Sequence, residues 1–339
     1  MKIAIHQSSW GFSQDWINYC KRKNIDYKIV DCYASNIIQQ VEDCDVVMWH
    51  HHHTEARDFL FAKQLLFALE QSGKKVFPDF NTGWHFDDKV GQKYLLEAID
   101  APVPDSWVFY EKKQALDWAS KTTFPKVFKL RGGAGSTNVK LIRNERVAKK
   151  IIRKAFGRGF PAYDGFNDLK EQLIRWKQNK LEWIDLLKSV RRLFVSTRFA
   201  RTAGREKGYV YFQEFLPDND FDIRVITIGN KAFAIKRIVR PNDFRASGGG
   251  NTKYEKEQFD KECVNIAFET TSKLKAQCVA YDFVYDENSK PLIVEINYGF
   301  AKEVYNKCEG YWDKDLLWHK GNFNQVEWII NEVINELNE

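Results

Sequence analysis

Two acidic strands near the C-terminal end constrain this chain more than any other feature: Val279-Ala280-Tyr281-Asp282-Phe283-Val284 and Pro291-Leu292-Ile293-Val294-Glu295-Ile296-Asn297. Both runs are apolar and rich in β-branched and aromatic residues, the composition of strands inside a core. Each nevertheless carries a carboxylate, and the second adds an amide oxygen two residues on. Period-2 alternation puts Glu295 and Asn297 on one face. A hairpin around Asp286-Glu287-Asn288-Ser289 brings Asp282 beside them. Three hard oxygen ligands on adjacent strands suit Mg2+, which keeps some waters and takes further ligands from phosphates. The alternative is a set of half-exposed acids that are merely solvated.

Upstream, Phe124-Pro125-Lys126-Val127-Phe128-Lys129 reads as a strand that delivers Lys129 to a loop, Gly132-Gly133-Ala134-Gly135-Ser136, with a second strand beginning near Asn138. Glycines let backbone N–H groups wrap phosphate oxygens, and a lysine at the mouth supplies a point charge. The loop is neither a Walker loop nor the dinucleotide fingerprint, because a strand rather than a helix follows. Taken alone such a loop is more often an ordinary glycine-rich turn. A third element runs Tyr209-Val210-Tyr211-Phe212-Gln213-Glu214-Phe215-Leu216-Pro217, then Asp220-Phe221-Asp222-Ile223-Arg224. Asp222 and Arg224 share a face. A fourth strand, Ala234-Ile235-Lys236-Arg237-Ile238, leads into Phe244-Arg245-Ala246-Ser247-Gly248-Gly249-Gly250.

In this order the lysine strand with its glycine hairpin, the Q-E-F-L hinge, D-I-R, K-R, F-R-x-S-G-G-G and D…E-I-N resemble an ATP-grasp enzyme over about residues 80 to 300. The likeness is to glutathione synthetase and RimK-like carboxylate–amine ligases. It implies an α/β chain with α+β lobes: an ATP-grasp fold preceded by a parallel-sheet domain. By resemblance, Lys129, and with it Lys89, reaches nucleotide phosphate, and the loop Gly132, Gly133, Gly135 and Ser136 closes over it. The hinge Glu214, Phe215 and Leu216 meets adenine and Asp222 the ribose. Asp282, Glu295 and Asn297 hold Mg2+, or Mn2+ in its place. Arg224, Lys236 and Arg237 stabilise the transferring phosphoryl group, and Arg245 on its glycine-rich loop closes over the acyl-phosphate; for these four, ion pairing with the acids is the plainer role, and both can hold at once. The implied partners are ATP, a carboxylate donor and an amine acceptor, whether small molecule, peptide or amino sugar. One departure stands out. The resembled pattern N-x-x-P-G reads Asn297-Tyr298-Gly299-Phe300 here, which reshapes the amine pocket or marks a member that binds ATP without turnover.

At 339 residues the chain exceeds one compact core, so several lobes are expected. Residues 1–80 alternate strand and helix, with strands at Ile3–His6, Tyr27–Val30, Asp45–Trp49 and Lys75–Pro78, the pattern of a small parallel sheet that binds ligands at its strand ends. A helix capped by Asp87-Asp88 carries Lys89 in its first turn, where a simply solvated lysine is the alternative reading. Residues 81–125 link to a lid lobe over 126–213, and 214–339 form the lobe with the metal acids. Within the lid, Phe160 to Val195 inserts extra helix whose apolar positions are expected to pack on it. Residues 157–207 hold twelve Lys and Arg against six Asp and Glu, a difference equal to the whole-chain charge of +6. That patch suits an anionic partner or a solvated helix surface; no nucleic-acid module surrounds it.

His50-His51-His52-His53 follows the third strand at its ligand-binding end. A substrate-contacting tract and a surface loop capped by Thr54 are the two readings, with a zinc site the weaker third. Six scattered cysteines suggest reduced thiols in a cytoplasm. No apolar run approaches a membrane span. An oligomer is compatible with the sequence.

Overall fold

The computed structural model describes residues 1–52, 55–132, 139–161, 198–239 and 251–338, with isolated positions between 162 and 197. The N-terminal alternation folds as expected. Strands β1 (Lys2–His6), β2 (Asp26–Val30), β3 (Val46–Met48) and β4 (Lys75–Phe77) form a parallel sheet in the order β2-β1-β3-β4. The inner strands β1 and β3 are short and mostly buried because helices cover both faces, whereas the edge strand β2 is mostly exposed or half-buried. One of these, Ala56–Gln71, is capped by the Glu55 side chain, which accepts from the Arg57 N–H. The cap expected at Thr54 lies outside the described residues.

Four antiparallel strands make the second sheet, β5 (Ser106–Phe109), β6 (Lys126–Lys129), β7 (Lys140–Ile142) and β10 (Val210–Glu214), in the order β5-β10-β6-β7. A small pair, β8 (Phe160–Pro161) with β9 (Arg205–Glu206), lies between them in sequence. Of the extra helix expected over 160–195, most falls outside the described residues. Among its described apolar positions, Leu173, Trp176 and Trp183 are exposed rather than packed.

The third sheet is the largest. Strands β11 (Phe221–Ile228), β12 (Lys231–Ile238), β13 (Thr252–Lys253), β14 (Cys278–Tyr285), β15 (Pro291–Asn297), β16 (Gly310–Asp313) and β17 (Trp318–Lys320) run β15-β14-β11-β12-β16-β17, with β13 on β12. Alternation divides its side chains between two cores. Ile223, Val225, Tyr281, Phe283 and Ile296 point toward the helix Lys261–Leu274, while Ile226, Phe233, Ile235 and Ala280 join the N-terminal sheet and the last helix, Gln325–Asn338. Because a strand's two faces alternate, the polar residues interleaved with the first set emerge on the same side as the second. The site therefore opens where that second face runs out of apolar cover. All six cysteines are buried and unbridged. Among the described residues no helix is long and apolar enough to cross a membrane.

Candidate active site

Strands β14 and β15 pair as the predicted hairpin, with Asp282 opposite Glu295 and Ala280 opposite Asn297, so the three candidate metal-binding side chains share a face. The register shifts between Asp282 and Phe283, which leaves Val294 as the extra residue of a β-bulge. The bulge has a chemical consequence. Val294 is displaced from the ladder, and its carbonyl accepts a hydrogen bond from Lys129 Nζ at 3.2 Å. A strand from the second sheet is thereby tied to the acidic hairpin of the third.

The acids are not bare. Arg224 forks onto Asp282, its Nε 2.5 Å from Oδ1 and its Nη2 2.8 Å from Oδ2. Arg237 forks onto Asp222 at 2.6 and 2.5 Å and also reaches Asp282 at 3.0 Å. Their placement follows from register: Asp222 is opposite Arg237 across β11–β12, and Arg224 is opposite Asp282 across β11–β14. Burial works against the Asp282 charge, yet the two guanidiniums hold its carboxyl well below the usual carboxylate range. Burial raises the Asp222 carboxyl, with the Asp282 charge adding to the rise and Arg237 opposing it. The expected ribose contact, Asp222, is thus committed to Arg237, and any nucleotide contact has to share it.

Lys89 is buried, not solvated. Its Nζ lies 3.1 Å from Glu295 Oε1, and the side chain is only 6% exposed. Burial disfavours its charge, but Glu295 and Asp87 hold its pKa above the ordinary lysine value. Lys129 stands nearby with the opposite outcome: burial above all, helped by the Lys89 charge, pushes it down to about 8 against the pull of Glu295. Two buried lysines beside one carboxylate cannot both be fully compensated, and Lys129, which bonds a neutral carbonyl, bears the deficit.

Apart from Lys89, which lies behind Glu295 in a separate small pocket, these groups line one cavity of about 710 Å3, together with Gln213, Glu214, Phe215 and Leu216 of the hinge. Lys129, Asp222, Arg224, Arg237, Asp282, Glu295 and Asn297 all reach it. Glu214 is held by the buried Lys126 at 2.8 Å, and its backbone N–H already donates to Asp105 O. Lys236 stands apart. It pairs in register with Ile223, on the opposite face of β12 from Arg237, and its ammonium sits 3.6 Å above the Phe221 ring. Gly133, Gly135, Ser136 and Arg245 lie outside the described residues, as does His53.

Several cavity and loop contacts carried no local sequence signal. Glu206 of β9 accepts from the N–H groups of Arg131 (3.1 Å) and Gly132 (3.1 Å), so a carboxylate occupies the first amides of the glycine loop. Tyr209 donates to the same carboxylate. The histidine tract divides. His50 and His52 line the cavity, whereas His51 turns inward against Phe86 and Tyr298, whose hydroxyl donates to the His51 carbonyl at 2.7 Å.

The donor set agrees with the ion that the fold implies. Two carboxylates and an amide oxygen are hard ligands. Among the described residues no group of three or more His, Cys, Asp or Glu forms an all-protein cage, so phosphate and water oxygens would have to complete a Mg2+ shell.

A small parallel sheet, a sheet with a lysine strand and glycine loop, and a large antiparallel sheet with a D…E-x-N face around one cleft make up an ATP-grasp fold. A model of the RimK-like ATP-grasp domain matches residues 201–311. The chain is 20% identical over 231 residues to the alpha-aminoadipate–LysW ligase LysX of Saccharolobus solfataricus, covering 68% of each. The fold is similar to that of D-cycloserine synthetase DcsG, with a TM-score of 0.60 and 12% identity over 99% of this chain and 100% of that one. It is also similar to D-alanine–D-alanine ligase from Bacillus anthracis, with a TM-score of 0.52 and 14% identity over 100% and 99%.

Proposed function

We propose that this protein is an ATP-dependent ligase that joins a carboxylate to an amine through an acyl-phosphate, releasing ADP and phosphate. The observation that carries this reading is the single cavity in which a buried lysine, two guanidiniums and the D…E-x-N oxygens converge beside the hinge. The hinge Glu214–Leu216 takes the base, and Lys129 with the glycine loop takes the phosphates. Asp282, Glu295 and Asn297 would hold Mg2+, and the chemistry it would supply there is charge neutralisation at the phosphates. Arg224 and Arg237 then face the oxygens on which charge accumulates during transfer. Neither step needs a protein nucleophile, so catalysis consists of positioning and charge neutralisation.

Asp282 and Glu295 reach this arrangement already balanced by cations. Phosphates entering the cavity compete for Lys89, Lys129 and the arginines, and so release the carboxylates toward the metal. The lobes divide near residues 80, 125 and 213, with β5 lent to the lid sheet. Buried, unbridged cysteines fit a reducing compartment, and we place the protein in the cytoplasm.

The test is a screen of candidate carboxylates with Mg2+, ATP and hydroxylamine. The expected result is ADP together with a hydroxamate, formed by trapping of the acyl-phosphate. ADP without any hydroxamate would mean phosphorylation of some other group. No ADP with any donor and acceptor would leave a binding module without turnover.

A further inference from the structure

The end of the cavity away from the hinge is built by the small parallel sheet, and its residues take no part in the phosphate chemistry above. After β1 the chain passes through Trp10, Gly11 and Phe12; after β3 it passes through His50 and His52; Phe300 faces them from the stretch after β15. The Trp10 ring stands edge-on to His52, with centroids 4.5 Å apart, and to His50 at 5.4 Å. His50 stacks on Phe12 at 3.8 Å with the planes 14° apart, and Phe12 touches Phe300 at 5.0 Å.

Two glycines from different lobes make room for this arrangement. A Cβ on Gly11, where φ is +80°, would lie 2.5 Å from His50 Nδ1, and one on Gly299 would lie 3.0 Å from Nε2. Gly299 directly precedes Phe300, the position where the sequence leaves the N-x-x-P-G pattern. Its missing side chain is the space that the His50 ring fills, and its N–H donates to Asn297 Oδ1 at 2.9 Å. The aromatic wall is therefore joined through Gly299 to the proposed metal asparagine.

Charge at this end is nearly balanced, since Lys302 is paired with Asp15 and Glu303 lies at the rim. Trp10 nonetheless stays 37% exposed on a cavity wall. Rings held in fixed planes with one indole left uncovered select a flat partner by stacking, not by charge. We infer that this end of the cavity is the subsite for a planar ring carried by one of the two substrates. The inference rests on the ligase reading only in taking the ring-bearing molecule for a substrate. The ring can come on the carboxylate or on the amine.

Four probes distinguish these sources: indole-3-acetate and tryptamine, with hexanoate and hexylamine as ringless counterparts. Binding is measured by ligand-observed NMR on the full chain, with and without Mg–ADP. The expected result is binding of at least one indole probe, with the strongest saturation on its ring protons and its ringless counterpart at least tenfold weaker. Trp10→Ala should weaken that probe roughly three- to tenfold, the scale of one lost aromatic contact. Gly299→Ala, which pushes on His50, should do the same.

Equal binding of ringed and ringless probes would overturn the inference. So would wild-type affinity in both variants, or no binding by any probe. Failure of Mg–ADP to bind would instead sink the ligase reading, and the nucleotide-free arm would still decide the ring subsite.

Discussion

Replacing Lys89 by Met tests whether the proposed metal acids are held in check by lysine. Methionine is unbranched and fills the same tunnel without charge. The perturbation removes an ammonium 3.1 Å from Glu295 Oε1. At an effective dielectric of about 20 the direct attraction is about 5 kcal/mol, an upper figure. Two effects reduce it: burying Lys89 costs free energy that the variant recovers, and the Glu295 side chain is 32% exposed and partly screened. A net loss of about 1–2 kcal/mol in stability without ligands is expected. The same release should strengthen divalent-cation binding in the absence of nucleotide, because Glu295 no longer has to leave an ion pair. Mn2+ titrated without nucleotide and followed by electron paramagnetic resonance should bind at least tenfold more tightly to Lys89→Met, about 1.4 kcal/mol. Urea unfolding supplies the stability arm. Unchanged Mn2+ affinity together with unchanged stability would refute the idea that Lys89 balances the site.

Other expectations follow from the same geometry. Lys129, depressed to about 8, is charged below that pH and neutral above it, whereas in the unfolded chain it stays charged to about 10.4. Between those values the unfolded state binds more protons, so this group's contribution to stability rises with pH there. Nucleotide affinity should move the other way, falling by up to about tenfold from pH 7 to pH 9 in calorimetry as the phosphate contact loses its charge; a flat profile would remove Lys129 from the phosphates. Glu295→Gln should weaken nucleotide binding in Mg2+ far more than in EDTA, and equal effects in both would place Glu295 away from the metal. Arg237→Ala leaves Asp222 and Asp282 facing each other with one guanidinium fewer, and should cost about 3–5 kcal/mol in chemical denaturation. A loss below 1 kcal/mol would show the two forks to be redundant.

Local rules reached a good part of this molecule. Alternation and strand composition placed the parallel sheet at residues 1–80 and the hairpin that sets Asp282 beside Glu295 and Asn297. Asp222 and Arg224 share a face for the same reason. Applied strictly, that rule also separates Lys236 from Arg237, since neighbours along a strand point to opposite sides. What tertiary structure alone decided is the state of the charges. Lys89 and Glu295, Arg224 and Asp282, and Glu206 and the Gly132 amide meet across 206, 58 and 74 positions, and no periodicity encodes such pairings. The bulge is local to the β14–β15 hairpin, but the Val294 carbonyl it frees meets Lys129 only once two sheets are docked. The same holds for His50, which a sequence shows as one of four histidines and the fold sets between Gly11 and Gly299. Strand period fixes which face a side chain takes, because it is a property of neighbouring backbone. Burial and the charge standing opposite are set by chain segments brought together from far apart, and those determine a group's pKa and its chemistry.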